Sequence, residues 1–297
     1  MTRHAYLILA HKNPSQIAKL LGALDAPDND IFLHLDKRSS MKYKQFESCC
    51  RNSGLFFIRP RIRVNWGGVS IMRAELALLK AAVSKGQYSY YHLVSGMDLP
   101  LKSNAEIHEF FERNAGKEFF TMLKTSEFTD ESIHYRHIFP ESNHFYLAKK
   151  LRQFHIDWQK KRGRPINSGV EGKYASQWFS ITDGFARYIV DNMRWLMHTF
   201  RNTGLTDEMF AATLLSRSPF AGNLYDTTLY RECEGVHAGG NMRLTDWGDD
   251  PDARHPRTFT SADYDMLCRA SQLWARKFDE TVDSEIIDRI LAETKKG

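Results

Sequence analysis

The sequence predicts an α/β fold built on a mostly parallel sheet with helices on both faces, and three observations predict it. Short apolar runs alternate with helical patterns through the first 125 residues. One run, 90–94, stops abruptly at Ser95-Gly96 and is followed by Asp98, with Pro100 behind it to forbid further ladder hydrogen bonding. Ser103-Asn104-Ala105-Glu106 then has capping-box spacing and opens a helix carrying Ile107, Phe110 and Phe111. An acid in a tight turn past the carboxyl end of a strand stands where ligands bind in open α/β sheets.

In chain order, 5–10 reads as a strand and 15–24 as a helix with Ile17, Leu20, Leu21 and Leu24 on one face. Strands follow at 31–35 and 55–58, and 71–83 is an amphipathic helix through Leu76, Leu79 and Val83. After the strand at 90–94 and the capped helix, 119–123 reads as a fifth strand. From 127 to 173 the pattern loosens into histidines, aromatics and basic residues. A helix is predicted over 145–158, then a mobile loop punctuated by Gly163, Pro165 and Gly169. Order resumes with a strand at 178–181, helices at 183–197 and 207–215, irregular chain to Pro256, and helices at 261–278 and 284–292. No repeat, low-complexity tract or linker interrupts the chain, so one integrated domain over 1–297 is expected.

The composition, 42% hydrophobic and 26% charged over 297 residues, suits a folded chain with a substantial core. Aromatic residues at 12% fit core packing better than ligand stacking. The net charge is +5, with basic clusters at 149–152 and 160–164. These read as solvated faces, or as a surface that meets anionic lipid or a phosphate-bearing ligand. No nucleic-acid motif accompanies them, so a nucleic-acid partner is not expected. Cys49, Cys50, Cys233 and Cys268 have no metal-site spacing and form no CxxC. The apolar run at the N-terminus is too short for a signal peptide or a membrane span, which points to a reducing cytoplasm.

Four segments carry candidate chemistry. His11, after the first strand, and Asp36, after the second, should share one edge of the sheet. Asp36 suits an imide N–H or a ribose hydroxyl, although His11 or His34 alone could be structural. Trp66-Gly67-Gly68 lets backbone approach a ligand before a helix opens, or is simply a turn. Asp207-Glu208 at a helix start either complements the helix dipole or supplies a general base at Glu208. The C-terminal set, Arg243, then Arg254-His255-Pro256-Arg257, then Arg276-Lys277, could neutralise a departing pyrophosphate. Three D-x-D matches, at 28–30, 250–252 and 263–265, read as turn or cap residues, the first of them at the wrong edge of the sheet.

Together these segments resemble the Branch-type glycosyltransferases, the family of the core-2/I-branching β-1,6-N-acetylglucosaminyltransferases and the peptide O-xylosyltransferases. The matching pieces are Ala10-His11-Lys12-Asn13, His34-Leu35-Asp36, Trp66-Gly67-Gly68-Val69-Ser70, Ser95-Gly96-Met97-Asp98-Leu99-Pro100-Leu101-Lys102, Gln177-Trp178-Phe179-Ser180-Ile181-Thr182, Asp207-Glu208 and Ala275-Arg276-Lys277-Phe278. The resemblance implies a GT-A-like (Rossmann-like) fold with its nucleotide-sugar half over 1–125 and its acceptor and catalytic half over 126–297. It implies a UDP-sugar donor, UDP-N-acetylglucosamine before UDP-xylose, and inverting transfer to a hydroxyl of a glycan or glycolipid acceptor. Glu208 would be the base. Lys277 with Arg254 or Arg257 would hold the diphosphate where other GT-A enzymes use a metal, so neither a metal nor a cofactor is expected. His11 and Asp36 would lie at the nucleoside, and Trp66, Asp98, Trp178 and Asp207 on the sugar and acceptor side.

Animal members carry a cysteine where Ser95 stands, a membrane anchor and many disulfides. The chain therefore resembles a compact bacterial relative in polysaccharide biosynthesis, cytoplasmic with peripheral contact at the inner face of the cell membrane. Two other classes stay open: a sugar- or nucleotide-binding module without catalysis, and a hydrolase using Asp98 and Glu208.

Overall fold

A computed structural model describes residues 2–65, 67–142, 145–231, 236–248 and 255–295. The chain runs β1 (His4–Ala10), α1 (Pro14–Ala23), β2 (Asn29–Leu35), β3 (Gly54–Phe57), α2 (Val69–Lys85), β4 (Tyr90–Ser95), β5 (Asp98–Pro100) and α3 (Asn104–Arg113). It continues through β6 (Met122–Leu123), α4 (Glu127–His134), α5 (Tyr146–Lys161), β7 (Tyr174–Ala175), β8 (Ser180–Thr182), α6 (Asp183–Asp191), α7 (Met193–Phe200) and α8 (Thr206–Ser216). Last come β9 (Val236–Ala238), β10 (Arg243–Asp246), α9 (Tyr264–Arg269), β11 (Trp274–Arg276) and α10 (Ser284–Glu293).

The main sheet has the order β3-β2-β1-β4-β8, parallel except for β8. Its central strands β1, β2 and β4 are buried on both faces, as parallel strands under helices must be, while the edge strand β3 is partly exposed. Ala5 and Leu7 join the core formed with α2, α6 and α8, while Tyr6 and Ile8 face the opposite core with α1 and α3. A second sheet, β5-β11-β10-β9, packs a third cluster around Leu99, Leu244 and Ala275 against α9 and α10. The capping box at α3 is present: Ser103 accepts from the Glu106 amide, and Glu106 accepts from the Ser103 amide.

The structure departs from the sequence-based expectations at five places, the first being the chain expected to be irregular up to Pro256, which supplies β9 and β10 to the second sheet. Pro100 does not end pairing, because 98–100 is an edge strand, where a residue without an N–H is tolerated. The expected strand at 119–123 is split: Phe119 bridges Ser180, while Met122–Leu123 pairs with β7. The expected helix at 183–197 breaks at Asn192 into α6 and α7. The expected helix at 261–278 ends at Arg269, and Trp274–Arg276 is a central strand; three residues are too few to show a period that distinguishes strand from helix.

The first D-x-D match lies at the amino end of β2, opposite the ligand edge. Asp30 there accepts from Tyr88 at 2.5 Å and pairs with Arg3 at 2.7 Å. Asp263 caps Thr260, and residues 250–252 lie outside the described residues. Cys49, Cys50 and Cys268 are free thiols, whereas Cys233 is outside the described residues.

Where β8 meets α6, fully buried Glu118 accepts from the Thr182 amide at 2.9 Å and from its hydroxyl at 2.5 Å. Burial raises this carboxyl from 4.5 to about 7. The folded chain then holds a proton that the unfolded chain has already lost. The stability this contributes is complete below about pH 4.5 and disappears as the pH rises through about 7. Glu118→Gln removes that titration. Its melting temperature is expected to gain on the parent's as the pH is raised from about 5 to about 8, which a calorimetric pH series checks.

Candidate active site

The carboxyl ends of β1, β2 and β4 form one edge, and the C-terminal segment is tied to it. Beyond β1, Asn13 takes the left-handed conformation (φ 59°) that asparagine tolerates, and Pro14 starts α1 with its φ preset. Asn13 Nδ2 and Lys12 Nζ reach Asp279 at 2.8 and 2.7 Å, and Gln16 Nε2 donates to the carbonyls of Gly96 and Phe278. This stitching places Lys277 beside His11 and Lys12. Burial, then Lys12 and Arg276, lowers the Lys277 ammonium's pKa. Burial, then Lys12, does the same to the His11 ring, partly opposed by Asp36. Lys277 forms no ion pair among the described residues, so this edge holds a half-buried cation that Asp279 offsets only from a distance.

Asp36 is buried and serves its own loop: Oδ1 accepts from the Arg38 amide at 2.7 Å and Oδ2 from the Val64 amide at 3.2 Å. It stands at the carboxyl end of β2, and much of its accepting capacity is already in use.

A cleft of about 590 Å³ opens next to this edge, within the range of small-molecule sites. Tyr174, Gln177, Trp178, Glu208, Asn241, Arg243 and Arg276 are among its lining residues. Glu208 sits in the first turn of α8. Thr206 locks that turn by donating to the Gly68 carbonyl at 2.9 Å, and the Tyr174 hydroxyl lies 3.4 Å from Glu208 Oε2. A Cβ at Gly68 would meet Glu141 Oε2 at 2.7 Å and push aside the carboxylate that accepts from the Ser70 amide and hydroxyl. The Gly67-Gly68 turn thus positions the helix that carries Glu208.

Two more acids lie near Glu208. Asp207 is buried, which raises its carboxyl to about 6. Glu75 of α2 is fully buried; burial, then Asp207, holds its pKa well above the usual range. Its Oε1 accepts from Gln177 at 2.6 Å, and its Oε2 has no hydrogen-bond partner.

At the floor of the cleft the antiparallel pairing of β5 with β11 sets Asp98 opposite Arg276, with Oδ1 3.6 Å from Nε. Arg276 lies 4.3 Å over the Trp178 ring, a cation–π contact, and its Nε and Nη1 make no hydrogen bond. Arg243 joins the two sheets by donating to the carbonyls of Asn241, Leu93 and Phe179 at 2.8, 2.8 and 3.1 Å, and burial lowers its pKa to about 9. Asp98 is 1% exposed and serves as the carboxylate for both arginines; burial raises its pKa and Arg276 opposes the rise. So sealed, Asp98 has no access to the water that a two-carboxylate hydrolase would activate.

Of the residues expected from sequence, Glu208 and Trp178 line the cleft, and Asp98 and Asp207 are buried around it. His11, Asp36 and Lys277 share the strand edge. Arg257 is committed elsewhere: Nε donates to Asp246 at 2.5 Å, and Nη1 and Nη2 grip Asp263 at 2.8 and 2.6 Å. Trp66 and Arg254 lie outside the described residues. Arg243 and Arg276 belong to the basic C-terminal set read from the sequence, whereas Glu75 received no role from it. The positions of Arg243 and Glu75 depend on contacts 150 and 102 residues away.

The sequence profile of the core-2/I-branching enzyme (Branch) family matches residues 4–270. The chain belongs to this family. Rat xylosyltransferase 2 is 26% identical over 97% of the chain, and the chain spans about a third (33%) of its length. Zebrafish β-1,3-galactosyl-O-glycosyl-glycoprotein β-1,6-N-acetylglucosaminyltransferase 4 is 24% identical, covering 95% of the chain and 67% of the relative. Mouse N-acetyllactosaminide β-1,6-N-acetylglucosaminyltransferase is 24% identical over 93% and 68%. The GT-A-like architecture expected of a Branch protein, a mostly parallel sheet flanked by helices, is the one the main sheet has. Six of the seven resembling segments fall inside the Branch match; Ala275-Arg276-Lys277-Phe278 follows its end.

Proposed function

We propose that the protein is an inverting, metal-independent glycosyltransferase that moves N-acetylglucosamine from its UDP donor to a hydroxyl of a glycan acceptor. One observation carries this reading. The carboxylate at the start of α8 and the Arg276-Lys277 pair at the end of β11 come from distant parts of the chain to one cleft and its rim. That is the charge distribution a displacement at an anomeric carbon needs.

In this scheme the nucleoside lies over the edge at His11 and Asp36. Lys277, beside Lys12, meets the diphosphate and stabilises the charge that grows on UDP as the glycosidic bond breaks. Glu208 takes the proton of the acceptor hydroxyl, which attacks from the face opposite UDP. Trp178, with Arg276 over its ring, forms part of the sugar wall. Arg276, in place of Arg257, supplies a guanidinium beside Lys277 near the leaving group. The relatives' names include both N-acetylglucosaminyl and xylosyl transfer. UDP-xylose is therefore the second donor to try.

Thermal unfolding with UDP and a panel of UDP-sugars tests this reading, since a ligand that binds the fold raises its melting point by mass action. UDP is expected to stabilise the parent, and Lys277→Ala to need on the order of tenfold more UDP for the same shift. Transfer is expected to persist in EDTA. No stabilisation by any uridine nucleotide would overturn the proposal, and activity lost in EDTA and restored by manganese would overturn its metal-free part.

A further inference from the structure

Helix α5 is built inside out. Of its 16 residues only Ile156 and Gln159 are buried. Polar side chains do much of the work of holding it to the body of the protein. Gln159 exchanges hydrogen bonds with the backbone of Arg136 at 3.0 and 2.9 Å, and Arg152 donates to the carbonyls of Ile138 and Phe139 at 3.3 and 2.8 Å. The opposite face carries Leu147, Leu151, Phe154 and Trp158 at 67, 44, 73 and 37% exposure. Their spacing of four, three and four residues makes one continuous stripe. An amphipathic helix that served only the core would be turned the other way round.

Charge identifies what covers the stripe. Asp157 is the helix's one acid, against Lys149, Lys150, Arg152, Lys160 and Lys161, and Arg162 and Arg164 follow directly. Lys150 and Lys161 flank the stripe on one side and Arg162 on the other. Lys150 lies 4.7 Å from the Tyr146 ring and Arg162 4.7 Å from the Trp158 ring, so the cations border the apolar surface. Apolar and aromatic side chains bordered by lysine and arginine are the signature of a helix lying in the plane of a membrane interface. The opposite face of α5 lines the cleft through Lys149, Arg152, Gln153 and Ile156.

We propose that the outward face of α5 docks on an anionic lipid bilayer, with Leu147, Leu151, Phe154 and Trp158 entering the interface and the flanking cations meeting lipid phosphate. The docked helix lies between the bilayer and the cleft and holds the cleft about one helix diameter, roughly 10 Å, from the membrane surface, within reach of the sugar of a lipid-linked acceptor. Bilayer contact itself does not depend on the transferase reading.

Co-sedimentation with vesicles of phosphatidylcholine, with and without about 30% phosphatidylglycerol, tests the proposal. The full chain is expected to bind the anionic vesicles on the order of tenfold more tightly, and to weaken as salt rises from about 0.1 to about 0.5 M. The double variant Leu151→Glu/Phe154→Glu is expected to lose binding while keeping the parent's melting temperature. Should that variant not fold, quenching of the parent's tryptophan fluorescence by brominated lipid, reduced in Trp158→Phe, supplies the same test. Equal binding to neutral vesicles, no binding to anionic ones, or unchanged binding by a folded double variant would overturn the docking face. So would a dimer in solution that this variant dissociates, because a second copy of the chain would then cover the stripe.

Discussion

Glu208→Gln is expected to slow sugar transfer by about 10²–10⁴-fold while leaving UDP-dependent stabilisation intact. Glutamine keeps the size of the side chain and its contact with Tyr174, 3.4 Å away in the parent, but it cannot take a proton. The turn that presents residue 208 is fixed independently by the hydrogen bond from Thr206 to Gly68, so the variant's fold should not change. Transfer and UDP binding measured side by side check this. A variant that transfers at near-parental rates would remove Glu208 from the role of base. A variant that loses both transfer and UDP binding would mean residue 208 shapes the donor site instead.

Asp98→Ala is expected to cost on the order of 3–5 kcal/mol of stability, because it leaves buried Arg276 and Arg243 without the carboxylate they share. For a chain of this size that corresponds to a fall in melting temperature of roughly 10 °C. Asp98→Asn retains the shape and a hydrogen-bond acceptor for the Ser95 amide, yet it removes the charge and should fall between parent and alanine. Calorimetry on the three proteins separates packing from charge. Equal stability of Asp98→Asn and the parent would show that the arginines do not need the anion.

Much of the fold could be read from sequence because parallel strands covered on both sides are nearly unbroken apolar runs, as at His4–Ala10 and Tyr90–Ser95. The helix at 104–113 was also readable, because its capping box is a local chemical signal. What escaped was structure set by distant partners. Trp274–Arg276 is a strand because Asp98–Pro100 and Arg243–Thr245 lie on either side of it, and nothing within three residues says so. The same holds at the site. Glu208 and Lys277 stand out through their immediate neighbours in sequence. Glu75 looks like one more polar position of an amphipathic helix until Gln177 is folded against it. Arg257 resembled an anion ligand because charge alone does not reveal that Asp246 and Asp263 have already claimed it.

The pairing of 98–100 with 274–276 also sets an order of events during synthesis. The ribosome will have released most of the main sheet before residues 274–276 emerge, and the rim that holds Lys277 cannot be completed until they add to the second sheet. Joining them closes a loop of some 175 residues, a slow entropic step compared with local helix formation. A nascent chain should therefore form the helices and strands of its main sheet first and complete the rim beside Lys277 only after residue 276 has emerged.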